Sequence, residues 1–181
     1  MKRGMTLVEV LVVAGLLSLI LTVAVMVFGP AVRSFRRGQD RAESQQTVAV
    51  AARWLKVDIQ SAAPGSVRWD TDQLVMVTQG DPPAFEADGE PQWTTILSYW
   101  KDGQGELHRQ SDPLGAADPE AAAPSAHNPA ARVVARNLSQ FECSTASAVV
   151  KVTLEAKKDD HRCRLETSFS SALAPMEPPP P

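Results

Sequence analysis

Three histidines, two cysteines and one tyrosine are all that the 181-residue chain offers of those types, and their scarcity removes much ready-made chemistry. His108, His127 and His161 fall on what read as a hairpin, a proline-rich loop and a turn. No two of them share the helix or strand spacing that a metal site or a catalytic triad needs. Asp70, Asp72, Asp81, Asp88 and Asp102 are acidic enough for calcium but lack the glycine-and-acid register of a calcium loop. The expectation is a protein without catalytic residues, metal or cofactor. Positive charge is also short: 18 Lys and Arg against 21 Asp and Glu give a net charge of −3. Without a basic footprint, a nucleic-acid partner is excluded.

Charge is missing most completely from Val10 to Val32, an unbroken uncharged and mostly apolar run. About 20 such residues, rising 1.5 Å each, cross the hydrocarbon core of a membrane. The run is too long for a secretory signal peptide, and Ala24-Val25-Met26 and Ala31-Val32-Arg33 do not supply a small-x-small cleavage site. At its edge sits one acid, Glu9. A carboxylate at membrane depth costs roughly 2.5–3.5 kcal/mol unless something pairs with it, so Glu9 is a candidate functional residue.

Met-Lys-Arg-Gly followed by Met-Thr-Leu-Val-Glu resembles the type IV prepilin signal. The resemblance implies cleavage by a prepilin peptidase between Gly4 and Met5, N-methylation of Met5, and Glu9 as the fifth mature residue. Met5 stands where the family usually has phenylalanine. A neighbouring subunit's new ammonium would then pair with Glu9 in a low-dielectric helix bundle, making the acid a register device for filament assembly. The resemblance places the following domain in the periplasm. The arginines Arg33, Arg36, Arg37 and Arg41, outnumbering Lys2 and Arg3, point the other way.

Beyond Pro30, residues Phe35, Ala42, Val48, Ala51, Ala52, Leu55, Ile59 and Ala62 recur at helical spacing among charged residues, up to a stop at Pro64-Gly65. Gly29-Pro30 is expected to kink or loosen this helix. The rest reads as strands: Gln73 to Thr78, and Thr94 to Trp100 joined through Asp102-Gly103-Gln104-Gly105 to a partner at Glu106 to Arg109. Val150, Val152 and Leu154 alternate with polar residues, and a turn at Lys157 to Asp160 leads to a second alternation through Cys163, Leu165, Thr167 and Phe169. Together these predict one antiparallel sheet covered by the helix, an α+β class. Residues 81–91 and 112–131 read as loops, the second long enough for function or mobility. The expected organisation is a leader (1–4), a membrane and assembly helix (5–32), an amphipathic extension (33–65), a β-sheet head (66–174) and a proline-rich tail (175–181) of extended or disordered chain.

A helix-covered sheet carrying Arg53-Trp54-Leu55-Lys56-Val57-Asp58-Ile59 and the Tyr99-Trp100 to His108-Arg109 hairpin looks like the minor pilins of W type and the minor pseudopilins of J type. That likeness implies a low-copy subunit priming a filament near its tip, in a type IV pilus or a type II secretion pseudopilus. Its implied partners are other minor subunits, the major subunit, the prepilin peptidase, the inner membrane, and a tip adhesin or secreted substrate. A membrane-anchored adhesion or binding module is the alternative. Export to an oxidising compartment invites a disulfide between Cys143 and Cys163. In a simple meander of 138–143, 149–156 and 162–171, Cys163 lies opposite about Leu154 and Cys143 opposite about Ala148, too far apart to bridge. A bulge or another strand order restores the bridge, and both arrangements stay open.

Overall fold

The computed structural model describes residues 6–115, 122, 126–146, 149–159 and 161–170. Gly4 and Met5, most of 116–125, Asp160 and the tail beyond Ser170 lie outside the described residues. One helix, α1 (Leu7–Gln60), takes up the whole N-terminal part. It opens on Thr6, whose Oγ1 accepts the Glu9 N–H at 3.3 Å while its carbonyl accepts the Val10 N–H at 3.2 Å. A threonine at this position satisfies one of the donors that a helix start leaves without an intrahelical partner. The helix runs without a break across Gly29-Pro30, although Pro30 removes one backbone donor.

The chain divides into two compact units, Met1–Asp40 and Arg41–Pro181, so the division falls within α1 and beyond the end of the apolar run. In the first unit no described side chain is buried. In the second, Ser44, Val48, Ala51, Leu55 and Asp58 are buried at steps of three and four, with Ile59 four residues after Leu55, one face of a 3.6-residue helix. Ala62 continues that face in the core just after the helix ends. Phe35 and Ala42, expected on this face, are exposed. The helix stops at Gln60, ahead of Pro64-Gly65, because Ala62 and Ala63 are already engaged by the sheet: Ala62 bridges Thr78, and the Ala63 N–H donates to the Val77 carbonyl at 2.8 Å.

The head holds two sheets where one was expected. β1 (Arg68–Asp70), β2 (Gln73–Gln79), β3 (Trp93–Lys101), β4 (Leu107–Pro113) and β5 (Arg132–Ala135) form a five-stranded antiparallel sheet in that order. The short strands β1 and β5 have no sequence alternation long enough to announce them, and β4 takes in Asp112 and Pro113 from the start of the expected loop. β6 (Leu138–Ala146), β7 (Val149–Lys158) and β8 (His161–Ser170) form a separate three-stranded meander. The sheets part at Asn137, whose φ of 61° turns the chain out of β5 and into a new ladder. Asn137 is among the residue types that tolerate that conformation.

The main core joins α1 to both sheets through Leu55, Ile59, Leu74, Met76, Tyr99 and Leu154. A second, smaller core lies across the five-stranded sheet, where Val75, Val77 and Ile96 meet Ala63 and Ala122. β2 is therefore buried on both faces, and the 112–131 segment contributes Leu114 and Ala122 to the second one.

The meander has a different register from the expected one: Cys143 pairs with Val152, and Cys163 with Ala156. Both cysteines are free, one of the two arrangements that the sequence left open. β7 lies between them, and two strand spacings of ~4.8 Å exceed the ~7 Å Cα separation that a bridge spans. Burial pushes the Cys143 thiol far above its ordinary range, so it stays a protonated core residue.

Candidate assembly site and the charged clusters of the head

Glu9 lies in the first turn of α1 and is exposed. Its main-chain N–H is taken by Thr6, but its carboxylate has no hydrogen-bond or ion-pair partner among the described residues. Thr6-Leu7-Val8-Glu9 has the spacing of a capping box, yet only the threonine-to-N–H half of that motif is formed. Between Glu9 and Arg33 there is no other ionisable side chain. Leu11, Leu17, Leu21, Val25 and Phe28 all stand exposed. The helix is long and apolar enough to cross a membrane. The site therefore offers one free carboxylate at the head of an uncovered apolar rod.

The head contains a charged cluster that the sequence pattern did not single out. Asp58, in phase with Leu55 and Ile59, turns its carboxylate into the core, where Tyr99 Oη donates to Oδ2. Arg109 Nε reaches the same oxygen at 2.7 Å, and its Nη2 lies 3.3 Å from Oδ1, a forked pair. Tyr99 and Arg109 are cross-strand partners on β3 and β4, so the register fixes both against the helix. Burial, reinforced by the Asp58 carboxylate, holds the Tyr99 phenol far above its ordinary range. Burial also opposes the Arg109 charge, but Asp58 more than offsets it and the guanidinium is held above its ordinary value. Arg109 and Arg132 then stand over the Trp54 ring, 5.6 and 4.7 Å from its centre. The available signal was an acid in the buried phase of an amphipathic helix, which calls for a buried partner.

A second cluster organises the β3–β4 turn. Asp102 Oδ1 accepts the N–H groups of Gln104 and Glu106 at 2.9 and 2.8 Å, and Oδ2 lies 3.2 Å from His108 Nε2. The Glu106 amide, then the imidazole, hold the Asp102 carboxyl below its ordinary value. Gly105, at φ 82°, passes so close to β6 that an added Cβ would meet the Leu138 carbonyl at 2.8 Å. Asp102, Glu106 and His108 bring ligand-type atoms within 4.8 Å of one another, a grouping the sequence spacing did not suggest. The groups are already engaged, however: Glu106 pairs with Arg136 at 3.0 Å and Asp102 with the turn amides. Two of the three histidines have an aromatic partner. His108 is buried and stacks on Trp100, and the exposed His127 ring lies 4.4 Å from the same indole.

No protein-family model, curated protein or solved structure matches this chain.

Proposed function

We propose that this chain is a minor structural subunit of a type IV filament, made as an inner-membrane prepilin with its head in the periplasm. A prepilin peptidase cuts between Gly4 and Met5 and the new amine is methylated. Glu9 then meets a neighbouring subunit's N-terminal ammonium as subunits leave the bilayer. The observation that carries this reading is the free carboxylate of Glu9, the single ionisable group in an otherwise uncovered apolar helix start, four residues from Met5. A plain anchor gains nothing from that acid, whereas a subunit that must stop at one height against its neighbour does. The buried Asp58–Tyr99–Arg109 cluster fits a role in locking helix to head, and we assign the head no catalysis.

Mass analysis of the N-terminal peptide of membrane-extracted protein tests the processing. The expected start is a methylated Met5; a chain starting at residue 1, or beyond residue 20, overturns the proposal. Gly4→Val should leave the leader attached. A reporter active only outside the cytoplasm, fused after Ala174, should be active, and silence there would mean that the arginines after the span set the orientation. In Glu9→Val, membrane insertion should persist while recovery of the subunit in sheared filaments falls. Equal recovery at equal membrane levels would remove Glu9 as the assembly contact.

A further inference from the structure

Within the head, the helix flank opposite β5 is left uncovered. A groove of about 370 Å³ runs between Glu43, Thr47 and Val50 of α1 and Val133 to Arg136. A second hollow of about 360 Å³ adjoins it, lined by Val50, Arg53, Trp54 and Val57. The two meet at Val50, and Val50, Trp54 and Val57 share one side of the helix at steps of four and three. Val50 and Val57 are 38 and 56% exposed, whereas Val48, Leu55 and Ile59 in the same part of the helix are buried. β5 borders the groove as the last strand of its sheet, so part of its backbone lacks a ladder partner.

The charges around this groove are unequally satisfied. Each nearby carboxylate has a cation: Glu43 has Lys158, Asp58 has Arg109, and Glu106 has Arg136. Arg53 and Arg132 have no carboxylate partner among the described residues, and Arg132 is held in place by its contact with Trp54. The unmet demand of this surface is for apolar side chains and negative charge together.

We infer that this groove docks an acidic, apolar-anchored segment of a neighbouring protein subunit, its carboxylates on Arg53 and Arg132 and its apolar side chains against Val50, Trp54 and Val57. The identity of the neighbour as a filament subunit rests on the proposed function; the charge and shape of the surface do not. An anionic membrane would match the arginines but not a groove walled by an open strand edge.

The test places a photo-crosslinking amino acid at Val50, at Val57 and, as a control, at Lys151 of the full-length chain in its own cells. Crosslinked peptides are identified by mass spectrometry. The expected result is one Asp- and Glu-rich segment of a different chain captured from both groove positions and not from the control. Combined Arg53→Glu and Arg132→Glu should reduce its yield at least tenfold, the lysine pair should retain most of it, and reversing the captured segment's acids should restore it. If the double variant misfolds, Arg53→Glu alone carries the test, because Arg53 is exposed and has no ion-pair partner among the described residues. Capture of lipid, of a second copy of this chain, or of nothing above control overturns the inference, as does a yield insensitive to charge reversal. N-terminal analysis of the same samples separates the two ideas. A methylated Met5 without groove capture removes the docking surface alone, and groove capture with an uncleaved N-terminus removes the filament assignment alone.

Discussion

Leu17 and Leu55 belong to the same helix, yet the first is 61% exposed and the second fully buried. The stretch before Asp40 is apolar on every side as far as Val32 and buries nothing, while the stretch after it is about half polar and buries a narrow face. Hydrophobicity alone therefore does not define a core. A helix that is apolar all round needs an environment apolar all round, and a helix with one apolar stripe needs one sheet surface. The two halves solve the charge problem differently as well. Asp58 has a tyrosine and an arginine from its own chain, whereas the Glu9 carboxylate has no partner among the described residues.

Five substitutions break or sharpen that contrast, the largest effect first. Asp58→Ala leaves Arg109 without its carboxylate and Tyr99 without its acceptor, and should cost the head about 3–5 kcal/mol. Denaturant unfolding of the full chain in detergent, followed by tryptophan fluorescence, measures it. A loss under about 1 kcal/mol would mean that water replaces the pair. Next comes the same change made in both halves. Leu55→Ala should cost about 2–5 kcal/mol by opening a cavity, and Leu17→Ala less than about 0.5 kcal/mol in the same assay.

Tyr99→Phe should cost about 1.5–3 kcal/mol, the usual range for a hydrogen bond to a charged group. It should also alter the pH dependence. The folded-state pKa of Tyr99 lies above its ordinary value of 10.0, so the native phenol stays protonated where the unfolded one ionises. This contribution is complete below pH 10 and is lost as pH rises beyond it, and the phenylalanine variant should lack that part of the alkaline decline. Stability measured on either side of pH 10 in both proteins gives the comparison; parallel curves would place the alkaline loss elsewhere. The smallest effect belongs to Glu9→Val, which should leave head unfolding unchanged within about 0.5 kcal/mol. A larger shift would show that the acid serves the fold of its own chain.

Much of the fold was legible because it follows local rules. The amphipathic phase of Val48, Ala51, Leu55 and Ile59, the alternation in β7 and β8, and the Asp-Gly-Gln-Gly turn each depend on side chains within a few residues of one another. The division into two sheets was not legible, since it depends on Asn137 turning the chain and on the five-residue-or-shorter strands β1 and β5 finding partners. Short strands have too little alternation to be seen before their neighbours are known. Cys143 and Cys163 show the same limit. The meander that keeps them apart was readable from the alternation, but the register that sets Cys143 against Val152 and Cys163 against Ala156 was not.

By itself the sequence determined what each segment must avoid: water for residues 10–32, isolation for Glu9, and exposure for the apolar stripe after residue 44. These requirements come from transfer free energies and helical or strand period, which belong to residues and short windows. Only the tertiary structure decided which groups meet. Asp58, Tyr99 and Arg109 stand 41 and 51 residues apart and form one charged contact through the β3–β4 register and the seating of the helix. That choice depends on the closing of the whole core, because a buried charge selects its partner only once water has been excluded around both.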